Sequence, residues 1–233
     1  MIGFDPRYFI IIAPGVLLAL YASWKVKHTF ARASEMPSGT GYSGAQIAQA
    51  ILDAEGIHDV GIEPTQGYLS DHYDPHAKVL RLSPDVYQGR SLAAFGVAAH
   101  EVGHAIQHAH GYAPLSLRNS IVPMASIGSS LSWILIMVGI GAAMQTLAII
   151  GCALFTLVVI FQIVNLPVEF NASSRARQAL LSHGLVSVDE DREVGRVLNA
   201  AAMTYVAATV TAVLTLLYYL LRAGVIGGSR RDE

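Results

Sequence analysis

Residues 121–144 and 147–164 contain no charged side chain, and only Gln145 and Thr146 separate them. No other feature of the chain limits its fold so tightly. At 1.5 Å rise per residue, about 20 apolar residues in helix cross a hydrocarbon core of roughly 30 Å. Residues 8–24, bounded by Arg7 and Lys25, and 200–221, ending at Arg222, meet or approach that length. One small water-soluble core cannot hold so many uncharged residues, and helix satisfies their backbone groups where no water is available. The chain is expected to be an integral membrane protein, mainly α, with transmembrane helices at 8–24, 121–144, 147–164 and 200–221. The middle two form a tight hairpin. Only 14% of the 233 residues are charged, against about 25% in ordinary soluble domains. A cleaved signal peptide is the alternative for 8–24, but Lys25, Lys27 and Arg32 follow it and no small-x-small site comes directly after its apolar centre.

Two water-exposed segments remain, 25–118 and 165–199, and the hairpin between them returns both to one side. Lys25, Lys27, Arg32, Arg118, Arg175, Arg177, Arg192 and Arg196 flank that side, against Arg7, Arg222, Arg230 and Arg231 opposite. The positive-inside rule makes that side cytoplasmic, in a multi-pass protein of the cell membrane. A net charge of −2 without a basic block excludes a nucleic-acid partner. The single Cys152 excludes an intramolecular disulfide and cysteine-rich zinc sites, so a metal here needs histidines and carboxylates.

In the first segment, Ser43 and Gln46 form a capping box opening a helix over 43–55 that Gly56 ends. Short strands are expected at 57–63, 66–71 and 78–83, the last two joined by the turn-rich Tyr73-Asp74-Pro75-His76. A second helix runs over 91–110 with Ser91 as its N-cap. In the second segment, Asn165 and Pro167 mark a break after the third span, followed by a helix to about Ser182. Ser187 and Glu190 make another capping box, whose helix can run into the last span.

The second helix contains His100-Glu101-Val102-Gly103-His104. Positions i and i+4 project from one helix face about 6 Å apart along the axis, so two imidazoles there can reach one metal ion. Glu101 projects beside such an ion, where a base must sit to take a proton from water activated by zinc. Five residues alone are only a hypothesis, and solvent-facing histidines on an amphipathic helix are the plain alternative. Context favours the site: Ala93, Ala94, Ala98, Ala99, Gly103 and Ala105 let other backbone approach closely. His108 is expected to be outside the ligand set, and His110 has no assigned role.

Zinc needs a third protein ligand and an open position. Glu169, in the first turn after the Pro167 break, is the best candidate, since the hairpin returns the chain near where the metal helix left it. An N-terminal Glu favoured by the helix dipole is the plain alternative. His183 and the pair His72/His76 are weaker ligand candidates. For the oxyanion of a tetrahedral intermediate, His183, Tyr205, Arg175 and Asn171 are candidate donors. Residues 78–83 could offer an extended substrate a strand edge, or be an ordinary strand. Asn171-Ala172-Ser173 matches a glycosylation sequon, which on a cytoplasmic helix is accidental.

The stretches Ser70–Pro75, Leu82–Tyr87, Ala98–Gln107 and Leu166–Ser173 resemble the YugP family of bacterial membrane zinc metallopeptidases, and the likeness extends over nearly the whole chain. That family is in turn similar to the HtpX and CAAX-protease group of gluzincins. The resemblance implies a gluzincin-like domain binding one zinc per chain, with His100, His104 and Glu169 as ligands and Glu101 as general base. In that broader group an Asp four residues after the third ligand braces a ligand histidine. Here that position is Ser173, a neutral and weaker partner for an imidazole.

The function expected is zinc-dependent endopeptidase activity at the membrane surface, on membrane or misfolded proteins, with an unidentified membrane partner able to present substrate. Two other readings compete. An intramembrane protease would carry HExxH and an Asp ligand within apolar spans, whereas these spans hold no carboxylate. A non-catalytic membrane scaffold or metal-binding protein would not need Glu101.

Overall fold

The computed structural model describes residues 5–67 and 70–226. Arg230 and Arg231, counted above for orientation, and positions 68–69 of the expected strand 66–71 lie outside them. The described chain is mainly helical, with one three-stranded sheet and four helices long and apolar enough to cross a membrane. These four are α1 (Pro6–Ser34), α5 (Ala113–Gly141), α6 (Gln145–Ser182) and α7 (Val188–Arg222). Between α1 and α5 come α2 (Gly44–Ala54), β1 (Gly61–Pro64), β2 (His72–Asp74), β3 (Val79–Leu82), α3 (Pro84–Tyr87) and α4 (Leu92–Ala109).

The chain divides into two compact units, and each of the four long helices contributes to both. Of the described residues, the first gathers 5–21, 117–166 and 204–226. Its outer surface is apolar: Ile10, Leu17, Ile127, Trp133 and Ile134 are all exposed. Such a surface is costly in water and ordinary against lipid tails. Small residues set the hairpin's helix contact, since a Cβ added to Gly151 would lie 2.8 Å from the Ile136 amide nitrogen. Polar groups here are paired. Asp5 accepts from the Tyr218 hydroxyl at 3.2 Å, and Arg118 donates to Asn165 Oδ1 at 3.1 Å.

The second unit, residues 22–116 and 167–203, holds the sheet and α4. Both expected capping boxes form: Gln46 and Ser43 exchange hydrogen bonds ahead of α2, and Glu190 and Ser187 do so ahead of α7. The core is built from Ile47, Ile51 and Leu52 of α2, Leu80 and Leu82 of β3, Phe95 and Val102 of α4, and Leu180 and Val194 from α6 and α7. On β3, Leu80 and Leu82 are buried while Val79 and Arg81 are half-buried, the period-2 pattern of a strand packed on one face.

Several local expectations change, and the first strand runs over Gly61–Pro64 rather than 57–63. The second strand lies at His72–Asp74 rather than 66–71, so Tyr73 and Asp74 belong to the strand and the turn begins at Pro75. Asp74 sets that turn by accepting from the amides of His76 and Ala77. The strand order is β1-β3-β2, with β1 parallel and β2 antiparallel to β3. The stretch 78–83 is therefore the central strand with both edges filled, and cannot receive an added one. Finally, α6 runs unbroken through Pro167. Proline removes one ladder bond, but a continuing helix keeps every other backbone group paired where water is scarce.

Candidate active site

Ser91 caps α4 through the Ala94 amide, and Ala93, Ala94, Ala98, Ala99 and Ala105 turn inward. Gly103 then decides how close α6 can come. A Cβ at this position would lie 2.4 Å from the Ala172 carbonyl oxygen and 3.0 Å from its carbon. Backbone meets backbone, and only hydrogen fits between. Ala172 is flanked on α6 by Glu169, one turn before, and by Ser173, the next residue. The contact at Gly103 therefore sets both beside the two histidines that bracket it on α4.

His100 Nε2 lies 3.3 Å and His104 Nε2 3.7 Å from Glu169 Oε2. The two rings stand nearly perpendicular, with centroids 4.8 Å apart. Among the described residues these three groups form a cluster able to hold a metal ion, with one ligand atom from each lying within 4.8 Å of the others. Bonds of about 2.0–2.2 Å in tetrahedral geometry put donor atoms roughly 3.3–3.6 Å apart, so the donor set and its spacing fit zinc. Each imidazole is also held from behind: His100 Nδ1 lies 3.1 Å from Ser173 Oγ, and His104 Nδ1 lies 3.0 Å from Gln107 Oε1. These contacts turn Nε2 of both rings toward Glu169.

Glu169 is only 3% exposed. Burial would raise its pKa, but hydrogen bonds and charge from His100 and His104 override that and hold the carboxyl well below its ordinary range. For His104, burial favours the neutral ring, yet the hydrogen bond to Glu169 and the charges of Glu101 and Glu169 leave its pKa raised.

Glu101 is buried beside this cluster, and its Oε2 accepts from the Tyr73 amide of β2 at 2.9 Å. Tyr73 also reaches α4 with its hydroxyl, 2.8 Å from His108 Nδ1. One edge-strand residue thereby fixes the Glu101 carboxylate and holds His108, which stays outside the cluster.

None of the other histidine candidates joins the metal-binding cluster. His183, fourteen positions beyond Glu169 on and just past α6, is about 20 Å away along the axis; its Nε2 meets Glu55 at 3.1 Å. Tyr205 lies on α7, where its carbonyl accepts from the Thr209 hydroxyl at 2.9 Å. Asn171 is engaged by Gln107, and Arg175 by Asn171 at 2.8 Å and His110 at 3.1 Å. His72 is exposed against the Ser70 carbonyl, and His76 is exposed in the turn. Two residues here escaped the sequence reading. Gln107 stands at i+3 from His104 on the same helix face, a signal that was available. Tyr73 had none, because its role depends on sheet order.

Comparison with known proteins gives the family of the chain. Residues 8–224 match the family described as "Putative neutral zinc metallopeptidase". The chain is 44% identical over 226 residues to a Bacillus subtilis (strain 168) protein named "Putative membrane protease YugP", covering 97% of this chain and 99% of that one. No solved structure matches. The resemblance first seen in the motifs holds across both units, and the chain belongs to the neutral zinc metallopeptidase family, with membrane-protease character and a zinc cofactor.

Proposed function

We propose that this chain is a membrane-embedded zinc endopeptidase of the gluzincin type, with His100, His104 and Glu169 as ligands and Glu101 as general base. The observation that carries this reading is the convergence of the Glu169 carboxylate, after the hairpin, on the two Nε2 atoms before it. Zinc, when bound, supplies Lewis acidity that polarises a peptide carbonyl and makes water acidic near neutral pH. The chain's residues do the rest. Glu101 keeps one oxygen on the Tyr73 amide, and the other takes a proton from the attacking water and later gives it to the leaving amine. Ser173 and Gln107 keep the ligand rings from turning. The substrates are membrane or misfolded polypeptides reached at the cytoplasmic surface. The charge bias of the flanking segments supports that side, and the membrane-protease name of the Bacillus relative supports the membrane location.

The deciding measurement is metal content of the purified protein beside His100→Ala and Glu169→Ala. One zinc per wild-type chain with strong loss in both variants is expected. Full zinc retention by Glu169→Ala would remove Glu169 from the ligand set.

A further inference from the structure

Gln107 is fully buried, at 0% exposure, and each end of its amide has a partner. Its Nε2 lies 2.8 Å from the Val168 carbonyl and 3.0 Å from Asn171 Oδ1, and its Oε1 lies 3.0 Å from His104 Nδ1. The direction of these bonds follows from the partners' chemistry. A main-chain carbonyl can only accept, so the end of the amide facing Val168 is its NH2. Arg175 can only donate, and its Nε approaches the Asn171 side chain at 2.8 Å, which makes that atom the Asn171 oxygen. Both contacts orient the Gln107 amide the same way. Its oxygen then faces His104 and can only accept, so the proton of the neutral ring sits on Nδ1. With a zinc ion between that ring and Glu169, the lone pair is left on Nε2, the atom that looks toward Glu169.

We propose that Gln107 is a positioning residue that fixes the tautomer of His104 and ties that ring to the turn of α6 that carries Glu169. This inference rests on the zinc reading above. The opposite tautomer would aim an N–H at the ion and leave a buried carbonyl oxygen without a donor. The two imidazoles thus differ in control. Ser173 can donate or accept, so it steadies His100 without selecting its tautomer. Asn171 and Arg175 complete the set: the guanidinium donates to Asn171 and lies 5.8 Å over the Tyr112 ring, which anchors the chain of bonds at its outer end.

The test uses the full-length protein in detergent. Gln107→Met removes the acceptor and both donors at similar volume, whereas Gln107→Glu keeps an acceptor toward His104. Zinc affinity by chelator competition should fall about 10–100-fold in Gln107→Met and stay within a few-fold of wild type in Gln107→Glu. Independently, nitrogen NMR of histidine-labelled, zinc-loaded wild type should place the His104 proton on Nδ1. The resonances are assigned through their loss in His104→Asn. Wild-type affinity in Gln107→Met overturns the proposal, and so does equal weakening in a folded Gln107→Glu. A proton on Nε2 in wild type does the same. If the wild type binds no zinc, the metallopeptidase reading falls and this proposal falls with it, whereas zinc binding that ignores Gln107→Met overturns the proposal alone.

Discussion

Glu101 and Gly103 carry opposite kinds of information within one helical turn: one supplies chemistry, the other supplies room. Glu101→Gln keeps the shape of the side chain and its contact with the Tyr73 amide but cannot take a proton. Peptide cleavage should drop by about 10²–10⁴-fold with zinc content unchanged, measured on the same preparation. Gly103→Ala adds no polar group, yet its Cβ would have to displace the Ala172 backbone from 2.4 Å. Zinc affinity should fall and stability drop by about 1–3 kcal/mol, read by chelator competition and thermal unfolding. Gly96→Ala on the same helix is the control, because its Cβ would rest 3.5 Å from Val194 Cγ1, an ordinary contact.

The pH dependence of the metal-free site also belongs to single residues. The lowered pKa of Glu169 contributes stability that is present above the ordinary carboxylate range near about 4.3 and is lost as pH falls through the lower folded value. The raised pKa of His104 contributes stability that is present below the ordinary imidazole value near about 6.5 and is lost as pH rises through the folded one. Chelator-treated protein should therefore lose thermal stability as pH rises across the imidazole range. Zinc affinity should climb over the same interval, since the ligands must shed their protons. A melting curve that rises there without metal would contradict the arrangement.

At the scale of elements, α6 and α7 illustrate how long helices are fastened. Arg177 of α6 grips Asp191 of α7 with two hydrogen bonds, 2.9 Å from Nε and 2.5 Å from Nη2, and Asp191 is buried. Removing the guanidinium strands a buried carboxylate. Arg177→Met should destabilise the second unit by about 2–3 kcal/mol, less than a wholly buried pair because Arg177 is partly exposed. Denaturant unfolding of the purified chain checks this. The capping boxes at Ser43 and Ser187 were legible because their donors and acceptors sit three residues apart. Strand order was not legible, because β1 reaches β3 by passing over β2 in sequence, and nothing local encodes which strand lies in the middle.

For the whole molecule, the question is which compartment meets the second unit. The sites flanking it lie an even number of expected crossings apart, so a single probe reports on both segments. Asp189, 87% exposed, when replaced by cysteine should label with a membrane-impermeant thiol reagent only after the cells are opened. Thr146→Cys in the hairpin should label in intact cells. Cys152, 1% exposed, makes a low background. The reverse pattern would put the peptidase unit outside.

The sequence alone determined the elements whose signals are local. Chargeless length dictates apolar helices, caps dictate helix starts, and i, i+4 spacing puts two imidazoles on one face. The motifs were also enough to place the chain in its family. Only the tertiary structure decided what meets across long separations. It set Glu169 against His100 and His104, Gln107 against Val168, and the Tyr73 amide on Glu101. It also carried α6 straight through Pro167, where local preference alone called for a break. The physical reason is that each of these outcomes depends on two backbones approaching to contact, as at Gly103 and Ala172, and no run of neighbouring residues encodes that distance.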